Sequence, residues 1–204
     1  LSIKFNGKKP KIRARLLLSQ LRLLPKQMYS YDAFLESADR LNNSGQYSSV
    51  QIAFTPRDTT ATCDTLDMSV SCVLNKPYEA YIETNYSNKI NGRTGPELVV
   101  GLKKLNAFRG GEVVDLSLHG SYEWQTKGTA KGKSGDFNSY EYGADLSVSF
   151  PRLLVPFLKR RRYYTTPSTM AKMSVNVLNR PGYFKMHTAT GEWTYKWQLT
   201  ERTK

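Results

Sequence analysis

The residues suited to chemistry are few and scattered. Cys63 and Cys72 lie nine apart and form no Cys-x-x-Cys pair, and the only histidines, His119 and His187, are distant in sequence. A structural zinc site draws about four such ligands in clustered spacing, so no metal is expected. A disulfide between Cys63 and Cys72 within one hairpin is permitted by an oxidising compartment and not required by it. Ser117-Leu118-His119 places a hydroxyl and an imidazole on one face of a strand, but the spacing supplies no acid partner, and a solvent-facing serine and histidine is the plainer reading. No helical pattern follows Gly110-Gly111 to present an N-terminus to phosphate. The pair reads instead as a tight turn, where glycine tolerates positive φ. Lys159-Arg160-Arg161-Arg162, followed by Tyr163-Tyr164, combines cations for phosphate with rings for stacking. A basic turn beside anionic lipid headgroups accounts for the same residues. The basic excess is also spread, with 11 bases against 6 acids in residues 1–77 and 19 against 11 in residues 78–204, whereas a nucleic-acid face concentrates its charge. No enzyme activity, no cofactor and no nucleic-acid partner is therefore expected.

Composition bounds the elements that carry these residues. The chain has 204 residues, 30 lysines and arginines against 17 acids, a formal charge of +13, and 12% aromatic residues. That aromatic content argues against disorder. No apolar run approaches the ~18 residues of a membrane-spanning helix. The chain opens on Leu1 with no basic-then-apolar signal segment, and the expectation is an excised piece or a processed product.

Hydrophobic periodicity divides the chain near Pro77. Leu1 to Phe5 alternates as a short strand before the turn signal Asn6-Gly7. Ile12, Leu16, Leu17, Leu21 and Leu24 recur at helical spacing over Ile12 to Leu23, and Pro25 ends that helix. Ser30 is a good N-cap for a second helix with Phe34, Leu35, Ala38 and Leu41 on its apolar face, stopped by Asn42-Asn43-Ser44-Gly45. Val50, Ile52 and Phe54 alternate as a strand, and Leu66, Met68, Val70 and Cys72 as another. The predicted order for residues 1–77 is β-α-α-β-β.

After Pro77 the helical period gives way to long period-2 runs. Val114, Leu116, Leu118, Gly120, Tyr122 and Trp124 alternate with Asp115, Ser117, His119, Ser121 and Glu123. Ser139 to Phe150 repeats the design, with Tyr140, Tyr142, Ala144, Leu146, Val148 and Phe150 on one face. Shorter runs at Tyr78–Tyr86, Glu97–Leu105, Met170–Leu178 and Phe184–Thr200 bring the number to six. Two architectures fit. A soluble, curved sheet would use strands of ~5–6 residues with one wet face. A transmembrane barrel uses strands of ~9–11 residues, apolar outward and polar inward, with aromatics near the ends. Connection lengths suggest short turns on one side and longer loops on the other, as in outer-membrane barrels. The long link from Leu154 to Ser168 breaks that rule.

These runs, in this order, resemble the BamA-like family of outer-membrane assembly and translocation proteins, the bacterial surface antigen family, and most of all its Bacteroides-type versions. "YSYDAFLESADRLNNSGQYSSVQIAFTP" and "LDMSVSCVLN" are similar to the second helix and last strands of a POTRA domain. "LKKLNAFRGGEVVDLSLHGSYEW" carries the family's turn at Asn106, Phe108, Gly110, Gly111 and Glu112, and "FNSYEYGADLSVSFPRLLVPF" resembles a following barrel strand. Relatives carry a sixteen-stranded barrel and usually several POTRA domains. The arginine motif near the end of their barrel has no counterpart here, and six strands cannot close, which marks the chain as a fragment.

The resemblance implies an α+β POTRA domain (1–77) in the periplasm, followed by the N-terminal part (78–204) of an all-β antiparallel meander, a partial transmembrane β-barrel of about six strands in the outer membrane. It implies protein insertion or transport by strand addition. The client-binding edges would be Ser49, Val50, Gln51, Ile52, Ala53, Phe54 and Thr55, and Tyr78, Glu79, Ala80, Tyr81, Ile82, Glu83, Thr84, Asn85 and Tyr86. Leu116, Leu118, Tyr122, Trp124, Tyr140, Leu146, Val148 and Phe150 would face lipid. The implied partners are unfolded outer-membrane clients, outer-membrane lipids and other assembly subunits. The competing classes are a soluble periplasmic or surface-exposed binding protein with a β-sheet domain and, further off, a basic nucleic-acid-binding module.

Overall fold

The computed structural model describes residues 3–4, 11–23, 25–58, 65–88, 93–125, 138–155 and 166–198. The expected Leu1–Phe5 strand, apart from Ile3 and Lys4, lies outside them, as do Cys63 and the basic run 159–164.

A small α+β unit comes first. Its first helix, α1 (Ala14–Gln20), is shorter than the periodicity predicts, because Leu21 is already extended at φ −80° and ψ 132°. The tertiary partner explains the early stop. The Arg22 backbone N–H donates to Ser37 Oγ at 2.8 Å and its guanidinium pairs with Glu36 at 2.9 Å, so the chain is drawn straight along the second helix. That helix, α2 (Tyr31–Asn42), starts at Ser30, whose hydroxyl accepts from the Ala33 N–H. This satisfies one of the donors a helix start leaves unpaired. It ends before Gly45, whose φ of +67° suits a residue without Cβ. Strands β1 (Tyr47–Pro56) and β2 (Leu66–Leu74) then pair antiparallel, with Ile52 opposite Val70 and Val50 opposite Cys72.

Ile12, Leu16, Leu41 and Tyr47 form the buried core of this unit, flanked by Leu17, Leu21, Val50, Ile52, Val70, Cys72 and Leu74. Phe34 packs edge-on against Phe54 at 5.7 Å. Leu35, assigned to the apolar face by spacing, is exposed.

The second half is one open antiparallel meander: β3 (Tyr78–Asn88), β4 (Arg93–Leu105), β5 (Val113–Gln125), β6 (Ser139–Phe150), β7 (Ser168–Arg180) and β8 (Phe184–Lys196), each hydrogen-bonded to the next in order. The strands run 11 to 13 residues. At ~3.4 Å per residue and a tilt of ~45°, 13 residues rise about 30 Å, the thickness of a bilayer core.

The expected sorting of connections by length does not hold. Ser87, Asn88 and Arg93 to Pro96, read as loop, belong to strands and leave only residues 89–92 between them. Links 89–92, 126–138 and 181–183 share one end of the sheet; 106–112 and 151–167 share the other, where the small unit attaches. Short and long links occur at both ends. Polar residues at 87–88 and 93–96 looked like a loop, but main-chain pairing at the end of the sheet, with β4 held between β3 and β5, carries them as strand.

Candidate functional site

Cross-strand register sorts the sheet into two chemically opposite faces. On one, Ile82, Val100, Leu118, Ala144, Val175 and Ala189 form a row, and Ala80, Leu102, Leu116, Leu146, Met173 and Gly191 form the next. These side chains are open: Ile82 is 71% exposed, Met173 60% and Leu118 57%. Aromatic residues bound the band. Tyr86, Tyr122 and Tyr140 share a row at one end, with Trp124 against Tyr86 and Tyr122, while Tyr78 and Trp193 share a row at the other. The rows are eight residues apart, roughly 27 Å along the strand and about 20 Å along the normal at a ~45° tilt. Leu116, Leu118, Tyr122, Trp124, Tyr140, Leu146, Val148 and Phe150 all lie on this face.

The opposite face is polar and knitted together. Asp145 is the hub: His119 Nδ1 lies 3.2 Å from its carboxylate, Lys172 Nζ 3.3 Å, and Ser174 Oγ donates to it. Tyr81 Oη donates to Asp115 at 3.1 Å. Glycines make room for these groups, since a Cβ at Gly101 would strike the Tyr81 ring and one at Gly143 would strike His119 and Asn176. Ser117 stands between Gly101 and Asp145 in the cross-strand register, whereas the His119 ring lies over Gly143. Among the described residues the buried hydrophobic cluster belongs wholly to the small unit, whereas the buried non-glycine residues of the sheet are polar, Ser139 and Ser174 on the Asp145 face and Thr94 and Thr169 toward the ends of the Leu118 face. The open sheet thus has one apolar and one polar face.

Its edges are strands β3 and β8. Among the described residues, Tyr78 to Tyr86 pair with β4 on one side only, from Tyr78 opposite Lys104 to Tyr86 opposite Pro96. Among the same residues Ser49 to Thr55 pair only with β2, from Ser49 opposite Val73 to Thr55 opposite Asp67.

The turn Asn106–Glu112 joins the two halves. Its conformation is set from within: Asn106, Arg109 and Gly111 have φ of +55°, +65° and +79°. The Gly111 N–H donates to Asn106 Oδ1 at 3.1 Å and the Gly110 N–H to Glu112 Oε2 at 2.8 Å. Of the glycine pair only Gly111 needs positive φ. Gly110 is small because a Cβ there would meet the Glu112 carboxyl. Glu112 is 2% exposed, with Arg152 at 3.8 Å. Three hydrogen bonds then hold the small unit to the turn: Arg13 N–H to Arg109 O at 2.8 Å, Asn106 Nδ2 to Lys11 O at 2.7 Å, and Gln46 Nε2 to Gly111 O at 3.1 Å. Phe108 stands exposed at the tip. Gln46 and Arg152 carry no signal in sequence, because their partners lie 65 and 40 residues away.

Burial in the small unit pushes the Tyr47 phenol and the Cys72 thiol above their ordinary values. A hydrogen bond from Arg57 holds Asp67 below the usual carboxylate range. No cluster of metal-ligating side chains occurs among the described residues.

No family model and no curated protein matches the chain. Among solved structures, BamA from Haemophilus ducreyi lacking POTRA domains 1–3 superimposes with a TM-score of 0.42 at 13% identity, over 95% of this chain. The chain spans 42% of the length of that structure.

Proposed function

We propose that the six-stranded sheet is part of an outer-membrane β-barrel, with the Leu118 face against lipid and the Asp145 face toward a lumen. The observation that carries this reading is the inverted distribution of polarity. A broad, exposed apolar band edged by aromatics backs onto a hydrogen-bonded polar face, the arrangement lipid selects and water does not. In this reading the small unit is a POTRA domain in the periplasm. The protein is a non-enzymatic assembly or translocation factor whose β1 and β3 edges accept client strands through main-chain hydrogen bonds. The turn motif Asn106 to Glu112 and the element order support that role through their resemblance to the BamA-like family. Unpaired strand backbone is not tolerated in lipid, so β3 and β8 need strands beside them, from a client or from further barrel.

Nitroxide labels at Leu118→Cys and Ser117→Cys, in a Cys63→Ser, Cys72→Ser background reconstituted in phospholipid bilayers, test the reading. The label at 118 should be relaxed by oxygen, which partitions into lipid, and the label at 117 by a water-soluble nickel complex. Equal responses at the two positions would exclude a lipid-facing sheet and favour the soluble binding protein.

A further inference from the structure

The turn between β4 and β5 gathers cations from three segments of the chain. Lys104 ends the apolar face of β4, its Nζ 5.3 Å from the centre of the exposed Tyr78 ring. Arg109 is exposed in the turn itself. The bonds from Arg13 N–H to Arg109 O and from Asn106 Nδ2 to Lys11 O bring the exposed Arg13 and Lys11 alongside. A bond from Leu105 N–H to Pro77 O brings in the exposed Lys76. Carboxylates are held apart from this group. Glu112, the one acid of the turn, accepts from the Gly110 N–H and is 2% exposed. Every aspartate and glutamate of the six strands lies on the Asp145 face, away from Lys104. In the middle of the cations Phe108 stands 57% exposed.

Like charges gathered around one turn repel, and an anionic surface offsets that repulsion. Depth selects which surface. Lys104 belongs to the Tyr78–Trp193 row that closes the apolar band at this end. Asn106 lies two residues farther on, ~7 Å along the strand and about 5 Å along the normal at a ~45° tilt, which is headgroup level beside a lipid-facing sheet. An aromatic ring among bases suits that layer, because the ring enters the acyl boundary while long cationic chains reach phosphate. The turn is also set in advance by the positive φ of Asn106, Arg109 and Gly111 and by its two internal hydrogen bonds, so contact orders little that was free. An acidic protein would answer the same cations, but a turn that continues a lipid-facing row meets headgroups first.

We propose that this turn is a membrane-surface anchor: Phe108 enters the leaflet on the side of the small unit, and Lys11, Arg13, Lys76, Lys104 and Arg109 bind the phosphates of anionic phospholipids. Because the small unit is bonded to the turn, the anchor seats it against the bilayer. The depth rests on the lipid-facing reading above; the selectivity for anionic headgroups does not. The photoreactive residue p-benzoylphenylalanine, introduced at Phe108 in the full chain, tests it in bilayers of equimolar phosphatidylglycerol and phosphatidylcholine. Irradiation should give lipid adducts, with phosphatidylglycerol favoured about fivefold at low ionic strength. The preference should fade toward parity at ~1 M salt, where the screening length is ~3 Å. Lys104→Gln with Arg109→Gln should lower the preference at low ionic strength while lipid adducts persist. Absence of lipid adducts, adducts with protein alone, or equal yields of the two lipids at low ionic strength overturns the proposal. Any of these beside unequal nitroxide responses at 117 and 118 would discard the anchor and keep the lipid-facing sheet. A selective adduct beside equal nitroxide responses would keep the anchor, at the bilayer surface, and discard the spanning sheet.

Discussion

Arginine at Leu118 separates a lipid-facing sheet from a wet one with a large margin. The Leu118 row lies four residues from the Tyr122 row and four from the Val114 row, which carries Tyr78 and Trp193 at its ends. At ~3.4 Å per residue and ~45° of tilt it lies about 10 Å from either aromatic row, which in the proposed barrel is the bilayer midplane. Arginine there should cost about 2–4 kcal/mol, a shift of roughly 30- to 1,000-fold in the folding equilibrium. Tyr122→Arg, in the girdle, should cost about 0–1 kcal/mol. Ser117→Arg, one residue away, points to the other face opposite Asp145, where the added cation meets a carboxylate and should cost less than about 1 kcal/mol. In water the ordering collapses, because Leu118 is already more than half exposed and surface substitutions change stability by only about 0.5 kcal/mol. The assay is a reversible urea titration in phospholipid bilayers, followed by tryptophan fluorescence. A cost for Leu118→Arg no greater than for Ser117→Arg or Tyr122→Arg would refute the assignment of faces.

Three further outcomes follow from particular contacts. Glu112→Ala strips the Gly110 N–H of its acceptor and Arg152 of its partner, and should cost about 1–3 kcal/mol, read as faster hydrogen exchange at Gly110, while Glu112→Gln should cost less. Ile82→Pro should abolish client assembly by the β3 edge, since proline lacks a ladder donor; Glu83→Ala should be mild, and normal assembly with the proline in a folded sheet would remove β3 as a template. Burial raises both Tyr47 and Cys72, so the stability they contribute is present below their unfolded values, near 10.0 and 9.0, and is lost as pH rises through the higher folded ones. Thermal unfolding of the small unit should therefore fall steadily above pH 9, and Tyr47→Phe with Cys72→Val should flatten that slope; an unchanged slope would mean neither group is buried neutral.

Local pattern alone determined much of this protein. Period-2 alternation predicts the interiors of all six sheet strands, because each strand's two faces meet opposite surroundings and successive side chains must alternate to match. The shared face of Leu116, Leu118, Tyr140 and Leu146 was legible for the same reason, as was the Ser30 start of α2, a capping interaction only three residues long. What remained for the tertiary structure is whatever depends on distant partners. α1 stops at Gln20 because Ser37 and Glu36 capture Arg22. Arg93 to Pro96 become strand because β3 and β5 lie on either side of them, so their polarity costs nothing at the rim. Glu112 gains Arg152 only when the β6–β7 link comes back beside the β4–β5 turn, and Gln46 gains Gly111 only when the small unit docks there. Spacing reports which face a residue shares with its near neighbours; which buried groups find a partner is settled by contacts across tens of residues.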